Sequence, residues 1–226
     1  GQGFVETLST IWERGDAAMP LDPRLPDAAR DSLIAALAPT RIIEADGTEQ
    51  RLNGRQVDAG DALVVATSGS TGTPKGVVHT HASLEASARS TSTALDVNAS
   101  TDQWLCCLPL THIAGLAIVV RSRTFEIPLV VHDRFDSQAV EIAAREGATL
   151  TSLVPNTLAR LDPSLFRRII VGGQAAPENL PDNCRASYGM TETGSAVVFD
   201  GDILPGVELR IVDGEIQVRG DMLLRC

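Results

Sequence analysis

The stretch Thr67–Gly76 has the residue types and spacing of a phosphate-binding loop. It reads Thr-Ser-Gly-Ser-Thr-Gly-Thr-Pro-Lys-Gly and follows Ala62–Ala66, an apolar run that predicts a buried strand. Its backbone N–H groups and hydroxyls can converge on an anion, and Lys75 adds a positive charge. The spacing differs from that of a Walker A loop. A flexible Ser/Thr/Gly linker is the alternative, but a linker would not follow a buried strand directly or carry Pro-Lys-Gly. We therefore predict a polyphosphate site.

Two later stretches have residues that suit a nucleotide. Val171–Pro177 contains paired glycines, which would let the backbone lie flat against a ring, although an ordinary strand-to-helix turn explains them equally well. Tyr188–Gly194 offers an aromatic face, hydroxyls and one carboxylate. Glu192 suits Mg²⁺, which commonly takes one or two carboxylates together with phosphate oxygens. Considered alone, this stretch is explained more simply as an exposed acidic turn.

Arg121 lies in an otherwise apolar helical segment that begins at Leu116. A guanidinium buried there would need an anionic partner, and a substrate with a second carboxylate could supply it through bidentate pairing. The alternative is an arginine at a helix end that reaches water. Arg123 favours that alternative, because two arginines close together often mark a solvated end.

Composition excludes several classes of function. The chain has 226 residues, of which 43% are hydrophobic, enough for one large domain or one and a half. A net charge of −10 argues against nucleic-acid or anionic-membrane partners. There is no signal-peptide pattern and no apolar run near the roughly 20 residues that span a bilayer, so we expect a cytoplasmic protein. The four cysteines and four histidines lack metal-ligand spacing, and we interpret the histidines as structural.

The order of elements predicts an α/β fold with a parallel-rich sheet and flanking helices. Helices are predicted at residues 4–14, 81–95, 113–123 and 136–146, the second capped by Thr80, and a further helix is capped by Asp27 and another opened by Pro155. Strands are predicted at residues 41–44, 62–66, 103–108, 127–131, 148–154 and 168–171, with a strand-like run at 17–26. In the helix 136–146, Val140, Ile142 and Ala143 are expected to face inward. The loops 67–76, 109–115, 172–177 and 188–194 are then expected to follow strand ends, where α/β sheets bind ligands.

A smaller β-rich unit is predicted to begin near residue 200. Val207–Val212 and Glu215–Arg219 flank Asp213-Gly214, the signal of a hairpin with a two-residue turn. We expect residues 1–200 to form a nucleotide- and acyl-binding core and residues 201–226 to begin the β-rich unit.

Together these stretches resemble the adenylate-forming superfamily of acyl-CoA synthetases, adenylation domains and luciferases. Thr67–Gly76 is similar to its phosphate-binding signature, Gly15–Pro26 to an early segment with Pro-Leu-Asp-Pro, and Tyr188–Gly194 to its Tyr-Gly-x-Thr-Glu motif. Gly172–Pro177 is similar to its adenine-side loop, and residues 204–220 to the start of its third subdomain. Within the superfamily, Leu108–Gly115 followed by Arg121 resembles the o-succinylbenzoate–CoA ligases of menaquinone synthesis.

The resemblance implies ATP-dependent formation of an acyl-adenylate followed by CoA thioester formation, with ATP, Mg²⁺ and CoA as cofactors and a small carboxylic acid as substrate. By resemblance, the residues of the phosphate and adenine sites are Thr67, Ser68, Gly69, Ser70, Thr71, Gly72, Lys75, Gly172, Gly173, Gln174, Tyr188, Gly189 and Thr191. Thr67, Lys75, Thr191 and Glu192 would be catalytic, with Glu192 on the metal. His112 and Gly115 would border the acyl pocket, and Arg121 would bind a distal carboxylate.

Alternatives remain open at this stage. Another aryl- or fatty-acyl-CoA ligase would leave Arg121 structural, and a nucleotide-binding module without turnover would need no acyl pocket. The ribose-binding aspartate of the superfamily, its hinge and its C-terminal lid with a catalytic lysine lack counterparts before Cys226. We therefore expect a fragment of the large domain that is inactive or nearly so on its own. The sequence leaves the oligomeric state open.

Overall fold

The computed structural model describes residues 1–67 and 74–225. Its helices are α1 (Gln2–Glu13), α2 (Asp27–Leu37), α3 (His81–Ala94), α4 (Ile113–Thr124), α5 (Ser137–Arg145) and α6 (Pro155–Leu158). Its strands are β1 (Arg41–Ile43), β2 (Glu49–Arg51), β3 (Asp61–Thr67), β4 (Lys75–Thr80), β5 (Trp104–Cys106), β6 (Leu129–Val131), β7 (Leu150–Leu153), β8 (Arg168–Val171), β9 (Cys184–Met190), β10 (Ser195–Phe199), β11 (Asp202–Ile203), β12 (Glu208–Val212) and β13 (Glu215–Arg219).

A seven-stranded sheet forms the centre of the molecule, in the order β11-β10-β9-β8-β7-β5-β6. The five strands from β9 to β6 are parallel, and β10 and β11 continue the sheet in antiparallel fashion. The predicted α/β fold with a parallel-rich sheet is therefore confirmed. Because β11 ends at Ile203, this sheet extends slightly beyond residue 200.

Helices cover both faces of the sheet, because alternate strand residues point to opposite faces. Leu105 and Ile169 join a core cluster with α5 and α6, whereas Trp104 and Ile170 join a cluster with α3 and α4. Both faces are apolar, as expected for parallel strands that are buried on each side. In α5, Val140 and Ala143 face this core as predicted.

The inward position predicted for Ile142 is wrong, since its side chain is 45% exposed. The reason is the helical period: two residues advance the helix by about 200°, so Ile142 points away from the face that Val140 buries.

A separate two-stranded ladder carries the predicted phosphate loop. β3 pairs with β4 in antiparallel register, from Leu63–His79 to Thr67–Lys75, and packs against α1, α3 and α4. The loop was expected to lead from a strand of the parallel sheet towards a helix, so the additional strand β4 corrects that layout. The strand-like run at residues 17–26 is reduced to a single bridge between Ala18 and Leu63.

Local signals account for some element ends. The predicted cap by Asp27 is wrong, because Asp27 is the first residue of α2 and Pro26 occupies the N-cap position. Thr80 caps α3, because its hydroxyl accepts a hydrogen bond from the Ser83 backbone N–H. The Ser83 hydroxyl in turn accepts one from the Thr80 backbone N–H, and the two bonds form a capping box. β12 and β13 form the predicted hairpin, with Asp213 and Gly214 at φ 52° and 82° in its turn. Within residues 1–67 and 74–225, no helix is both long enough and apolar enough to cross a membrane.

Candidate nucleotide and acyl site

The ends of the predicted phosphate loop lie at the tip of the β3–β4 hairpin. Thr67 and Lys75 are directly opposite each other in the ladder, and the Thr67 hydroxyl lies 3.4 Å from the Lys75 carbonyl oxygen. The Lys75 side chain is exposed, so its ammonium is accessible to a ligand. The predictions for Ser68, Gly69, Ser70, Thr71 and Gly72 fall on residues outside the described ranges.

His79 joins this hairpin to the Tyr188–Gly194 stretch. Its side chain is fully buried, and Nε2 lies 2.7 Å from the Thr191 carbonyl oxygen. Burial lowers the pKa of His79, which favours the neutral ring. Donation from Nε2 to Thr191 leaves Nδ1 as the acceptor, 3.3 Å from the Ser83 hydroxyl.

The interpretation of His79 as a structural residue is thus incomplete, because the residue contacts the candidate site. The residue fixes Thr191 relative to the strand that carries Lys75. Sequence reasoning missed this link because the two partners are 112 residues apart and no local pattern connects them.

The glycine-rich turn after β8 lies beside Tyr188 of β9. β8 and β9 are parallel neighbours, with Val171 opposite Ala186, so Gly172 and Gly173 continue alongside Ser187 and Tyr188. A Cβ at Gly172 would lie 2.3 Å from the Ser187 hydroxyl, and Gly173 has φ 80°. The positive φ of Gly173 favours glycine, and at Gly172 a side chain would displace the Ser187 hydroxyl. The Tyr188 ring is 41% exposed, which leaves an aromatic surface beside this turn.

The stretch Tyr188–Gly194 is not the continuous loop that the sequence predicted. Tyr188 to Met190 complete β9, and Thr191–Thr193 form a short 3₁₀ helix. The strand continues because β10 pairs with it closely: a Cβ at Gly189 would lie 2.2 Å from the Ser195 carbonyl oxygen. Gly189 therefore has a packing role between the two strands.

Glu192 is available to a cation. Among residues 1–67 and 74–225, no group donates a hydrogen bond to its carboxylate or pairs with it as an ion. Its backbone is held, since the Leu224 N–H donates to its carbonyl oxygen at 2.8 Å. An anchored backbone with an unpaired carboxylate beside a phosphate loop fits a Mg²⁺ ligand.

His112 and Gly115 begin α4 at the carboxyl end of β5. His112 is the exposed N-cap residue of α4. The pKa of Asp22 is lowered to about 2, mainly by hydrogen bonds from Arg24, and the electrostatic effect of His112 is the smallest contribution. Gly115 is buried, and a Cβ there would lie 2.5 Å from the Pro109 carbonyl oxygen. Glycine thus lets the helix approach the preceding loop.

Arg121 is buried in α4, with a residue exposure of 2%. It donates to the Ser195 hydroxyl, and its guanidinium carbon lies 5.5 Å from the centroid of the Trp104 ring. Its Nε has no hydrogen-bond partner, and no carboxylate of the described residues pairs with it. Burial lowers the pKa of Arg121 to about 10, so the side chain stays charged at neutral pH.

The solvated alternative for Arg121 is therefore excluded. Arg123 does reach the surface, where it contacts Ser9 and lies over the Trp12 ring at 5.3 Å. The two arginines thus point in different directions from the same helix. The exposure of Arg123 therefore does not indicate that Arg121 is exposed.

An open cavity of about 500 Å³ lies elsewhere, between α1, α3 and α4. Trp12 and His81 meet edge-on there, with ring centroids 5.4 Å apart. The residues that line this cavity include none of the predicted nucleotide or acyl residues, so it is separate from the candidate site.

Chemically, the site combines a lysine and hydroxyls at a hairpin tip with a carboxylate that is free to bind a cation. An exposed aromatic ring lies beside a glycine turn, and a buried cation lies in α4. This arrangement can hold a phosphate chain, a divalent metal and a planar base, and it can attract an anionic group.

Comparisons with known proteins agree with this chemistry. A sequence profile described as "AMP-binding enzyme" matches residues 52–225. The probable 2-succinylbenzoate–CoA ligase of Mycobacterium tuberculosis is 38% identical over 194 residues, which is 76% of this chain and 50% of that protein. The 2-succinylbenzoate–CoA ligase of Enterococcus faecalis is 38% identical over 181 residues, 67% of this chain and 37% of that protein. The chain therefore spans about half the length, or less, of these curated relatives.

Solved structures that resemble this chain belong to enzymes of the same kind as these relatives. The o-succinylbenzoate coenzyme A synthetase of Bacillus subtilis in complex with AMP matches 100% of this chain and 74% of its own, with a TM-score of 0.85 and 25% identity. The same enzyme in complex with ATP and magnesium matches 78% of this chain and 46% of its own, with a TM-score of 0.67 and 29% identity.

Proposed function

Because the chain belongs to the AMP-binding enzyme family, we propose that it serves in the ATP-dependent activation of o-succinylbenzoate for transfer to CoA. Relatives named 2-succinylbenzoate–CoA ligases support the substrate, and the AMP, ATP and magnesium bound by the B. subtilis enzyme support the nucleotide and the metal. CoA as the acceptor follows from the names of the relatives. The division into a core of residues 1–200 and a β-rich unit from residue 201 belongs to the same proposal.

The buried charge of Arg121 is the observation that carries this choice of substrate. A cation that is fully buried and has no carboxylate partner among the described residues is costly unless a ligand neutralises it. o-Succinylbenzoate has two carboxylates, one to be activated and one left over. The second carboxylate is the partner that a bidentate guanidinium binds best. A benzoate or a fatty acid would leave Arg121 unneutralised.

In the first half-reaction, a carboxylate oxygen of the acid attacks the α-phosphorus of ATP. The bond to the bridging oxygen breaks, and pyrophosphate leaves with its electron pair. Negative charge on the transferring and leaving phosphates must be stabilised by fixed donors. Thr67, Lys75 and the loop between them would hold the β- and γ-phosphates, and Thr191 would contact the α-phosphate. In the second half-reaction, the CoA sulfur attacks the acyl carbon, and AMP leaves.

Glu192 would hold the magnesium ion, which supplies further charge neutralisation at the phosphates when it is bound. Gly173, Gln174 and Tyr188 would bind the adenine, because the turn and the exposed ring lie side by side. His112 and Gly115 would border the acyl group at the start of α4.

Calorimetric titration of three non-hydrolysable acyl-adenylate mimics tests the proposal. The o-succinylbenzoyl, benzoyl and long-chain acyl compounds share the adenylate, so differences among them report on the acyl pocket. We expect the o-succinylbenzoyl mimic to bind more tightly by about 1.5–3 kcal/mol, the contribution of a charged hydrogen bond. Equal binding of all three would point to another acid, and tighter binding of the long-chain mimic would assign a fatty-acyl ligase. If none binds, the chain is not a functional adenylate site.

A further inference from the structure

Two separate segments hold the backbone of Thr191 and Glu192. His79 contacts the Thr191 carbonyl oxygen from β4, and the Leu224 N–H donates to the carbonyl oxygen of Glu192 at 2.8 Å. Fixing two successive carbonyls sets the orientation of both peptide planes. The direction in which the Glu192 side chain leaves the backbone is thereby set as well.

The segment that ends at Arg225 lies between the phosphate hairpin and this turn. Its Met222 side chain is buried, and the Arg225 N–H donates to the Val78 carbonyl oxygen of β4 at 2.9 Å. One short stretch of chain therefore bonds both to the strand after the phosphate loop and to the residue proposed to bind the metal.

Arg225 locks this stretch to the start of β3. Its Nη2 donates to Asp61 Oδ2 at 3.0 Å, its Nε lies 2.9 Å from Oδ1, and its Nη1 pairs with Asp58. Asp61 is almost fully buried, at 1% exposure. Within the part of the chain that the structure describes, Arg225 is its only cationic partner. Oδ1 has no hydrogen-bond partner despite the approach of Nε, so one hydrogen bond and one close charge contact hold the pair. Loss of Arg225 would leave the buried Asp61 carboxylate without a cation.

We propose that Arg225 and Asp61 are positioning residues for Glu192. Their ion pair fixes residues 222–225 against β3 and β4. Because the Leu224 N–H donates to the Glu192 carbonyl oxygen, the backbone of Glu192 is fixed as well. The pair is not among the residues proposed to contact the nucleotide or the metal. Its effect is to hold the metal-binding carboxylate at a constant place relative to the phosphate hairpin, and it rests on the proposed function, in which Glu192 binds Mg²⁺.

ATP binding measured by calorimetry, with excess Mg²⁺ and with EDTA, separates positioning from folding. The ratio of the two affinities is the metal enhancement. Arg225→Lys keeps the charge but loses the planar guanidinium that bonds to Asp58 and Asp61 together, and the double variant Asp61→Asn with Arg225→Met removes both charges, so that neither is left buried alone. Arg210→Met is the matched control, because Arg210 is exposed and bonds only to Gln217 among the described residues.

We expect Arg225→Lys and the double variant, the two clamp variants, to lose 10- to 100-fold of the metal enhancement, as mutations behind a metal ligand do, with EDTA affinities within twofold of wild type. Arg210→Met should match wild type. Folded variants with wild-type enhancement would overturn the proposal, as would equal losses with and without metal. If both variants fail to fold, as judged by circular dichroism, the pair serves stability alone and the proposal is wrong.

Glu192→Gln distinguishes failure of this inference from failure of the proposed function. Loss of enhancement in Glu192→Gln, with none in the clamp variants, rejects only the positioning role. Unchanged enhancement in Glu192→Gln rejects the metal site itself, and with it the positioning of that site. Absence of any ATP binding by the wild type rejects the nucleotide function.

Discussion

The Arg121 guanidinium is buried at a cost in stability that substrate binding can offset. Its pKa is lowered to about 10 by burial, so the charge persists at neutral pH although the folded environment disfavours it. The hydroxyl of Ser195 and the ring of Trp104 compensate in part. A binding site often keeps such strain because the ligand completes the missing interaction.

Removing the charge should therefore stabilise the unliganded protein. We expect Arg121→Met, which keeps much of the side-chain volume, to raise the free energy of unfolding by about 1–2 kcal/mol, since replacing a buried charge with an apolar group is often favourable. Urea denaturation measures the change. Arg123→Met on the exposed side of α4 is the control and should change stability by less than about 1 kcal/mol. A marked loss of stability in Arg121→Met alone would show that Arg121 is a structural residue.

At the scale of elements, the start of α3 depends on its cap, because the first backbone N–H groups of a helix have no partner within the helix. The helix is rich in serine and threonine, which have modest helix propensity, and it directly follows β4. We expect Thr80→Ala to cost about 1 kcal/mol, because an N–H at the helix start loses its acceptor. Thermal melts should show this loss, whereas the exposed Thr93→Ala near the helix end should be neutral or slightly stabilising. Equal effects of the two changes would contradict the capping role.

The ion pair between Asp102 and Arg167 gives a pH-dependent prediction. Burial raises the pKa of Asp102, but hydrogen bonds from Arg167, Asn98 and Thr149 outweigh it, and the pKa lies below the ordinary value of 3.8. Because the folded pKa is depressed, the stabilisation is fully present above about pH 4 and is lost as the pH falls through the lowered pKa.

We expect Asp102→Asn to cost about 3 kcal/mol at pH 7, since Arg167 loses its buried partner. The difference from wild type should shrink below about pH 4, as followed by urea denaturation at several pH values. Asp200→Asn, in the more exposed pair with Arg185, should cost less than about 1 kcal/mol. A deficit for Asp102→Asn that stays constant down to pH 3 would contradict the pair as its cause.

Elements with strong local signals were predictable, and elements defined by a distant partner were not. The β3 strand, α4, α5 and the β12–β13 hairpin follow from apolar runs, caps and the Asp-Gly turn. β4 was missed because its pairing with β3 is tertiary information and the chain turns directly into α3 at Thr80. The residue types of Tyr188–Gly194 predict a loop, whereas pairing with β10 extends the strand to Met190, and Gly189 allows the close approach of Ser195.

In the candidate site, too, contacts between residues far apart in sequence could not be predicted. Residue types predicted a phosphate loop, a carboxylate and a buried arginine, but the contacts of His79 and Arg225 join segments far apart in sequence. Only the folded chain brings these segments together.

At the scale of the whole molecule, the net charge of the protein and the charge of its proposed ligands have the same sign. The chain carries a net charge of −10, yet its proposed ligands are anions. Specific binding therefore depends on a few placed cations, of which Lys75 is exposed and Arg121 buried. Several other arginines of the described residues are engaged by carboxylates in surface ion pairs such as Arg89–Glu85 and Arg145–Glu141. In the proposed function, Arg121 is the residue that distinguishes a dicarboxylate from a monocarboxylate, because it is the one of these cations that is buried in α4.

The pairing of Arg121 with the distal carboxylate is tested most directly by a thermodynamic cycle. The o-succinylbenzoyl-adenylate mimic and its carboxamide analogue, which lacks the distal charge, are titrated by calorimetry into wild type and Arg121→Met, with Arg123→Met as the control. We predict that the carboxylate mimic binds more favourably than the carboxamide by about 1.5–3 kcal/mol in wild type and in Arg123→Met, and that this difference is close to zero in Arg121→Met. An equal advantage of the carboxylate in wild type and Arg121→Met would contradict the account, because the distal charge would then be bound by another residue.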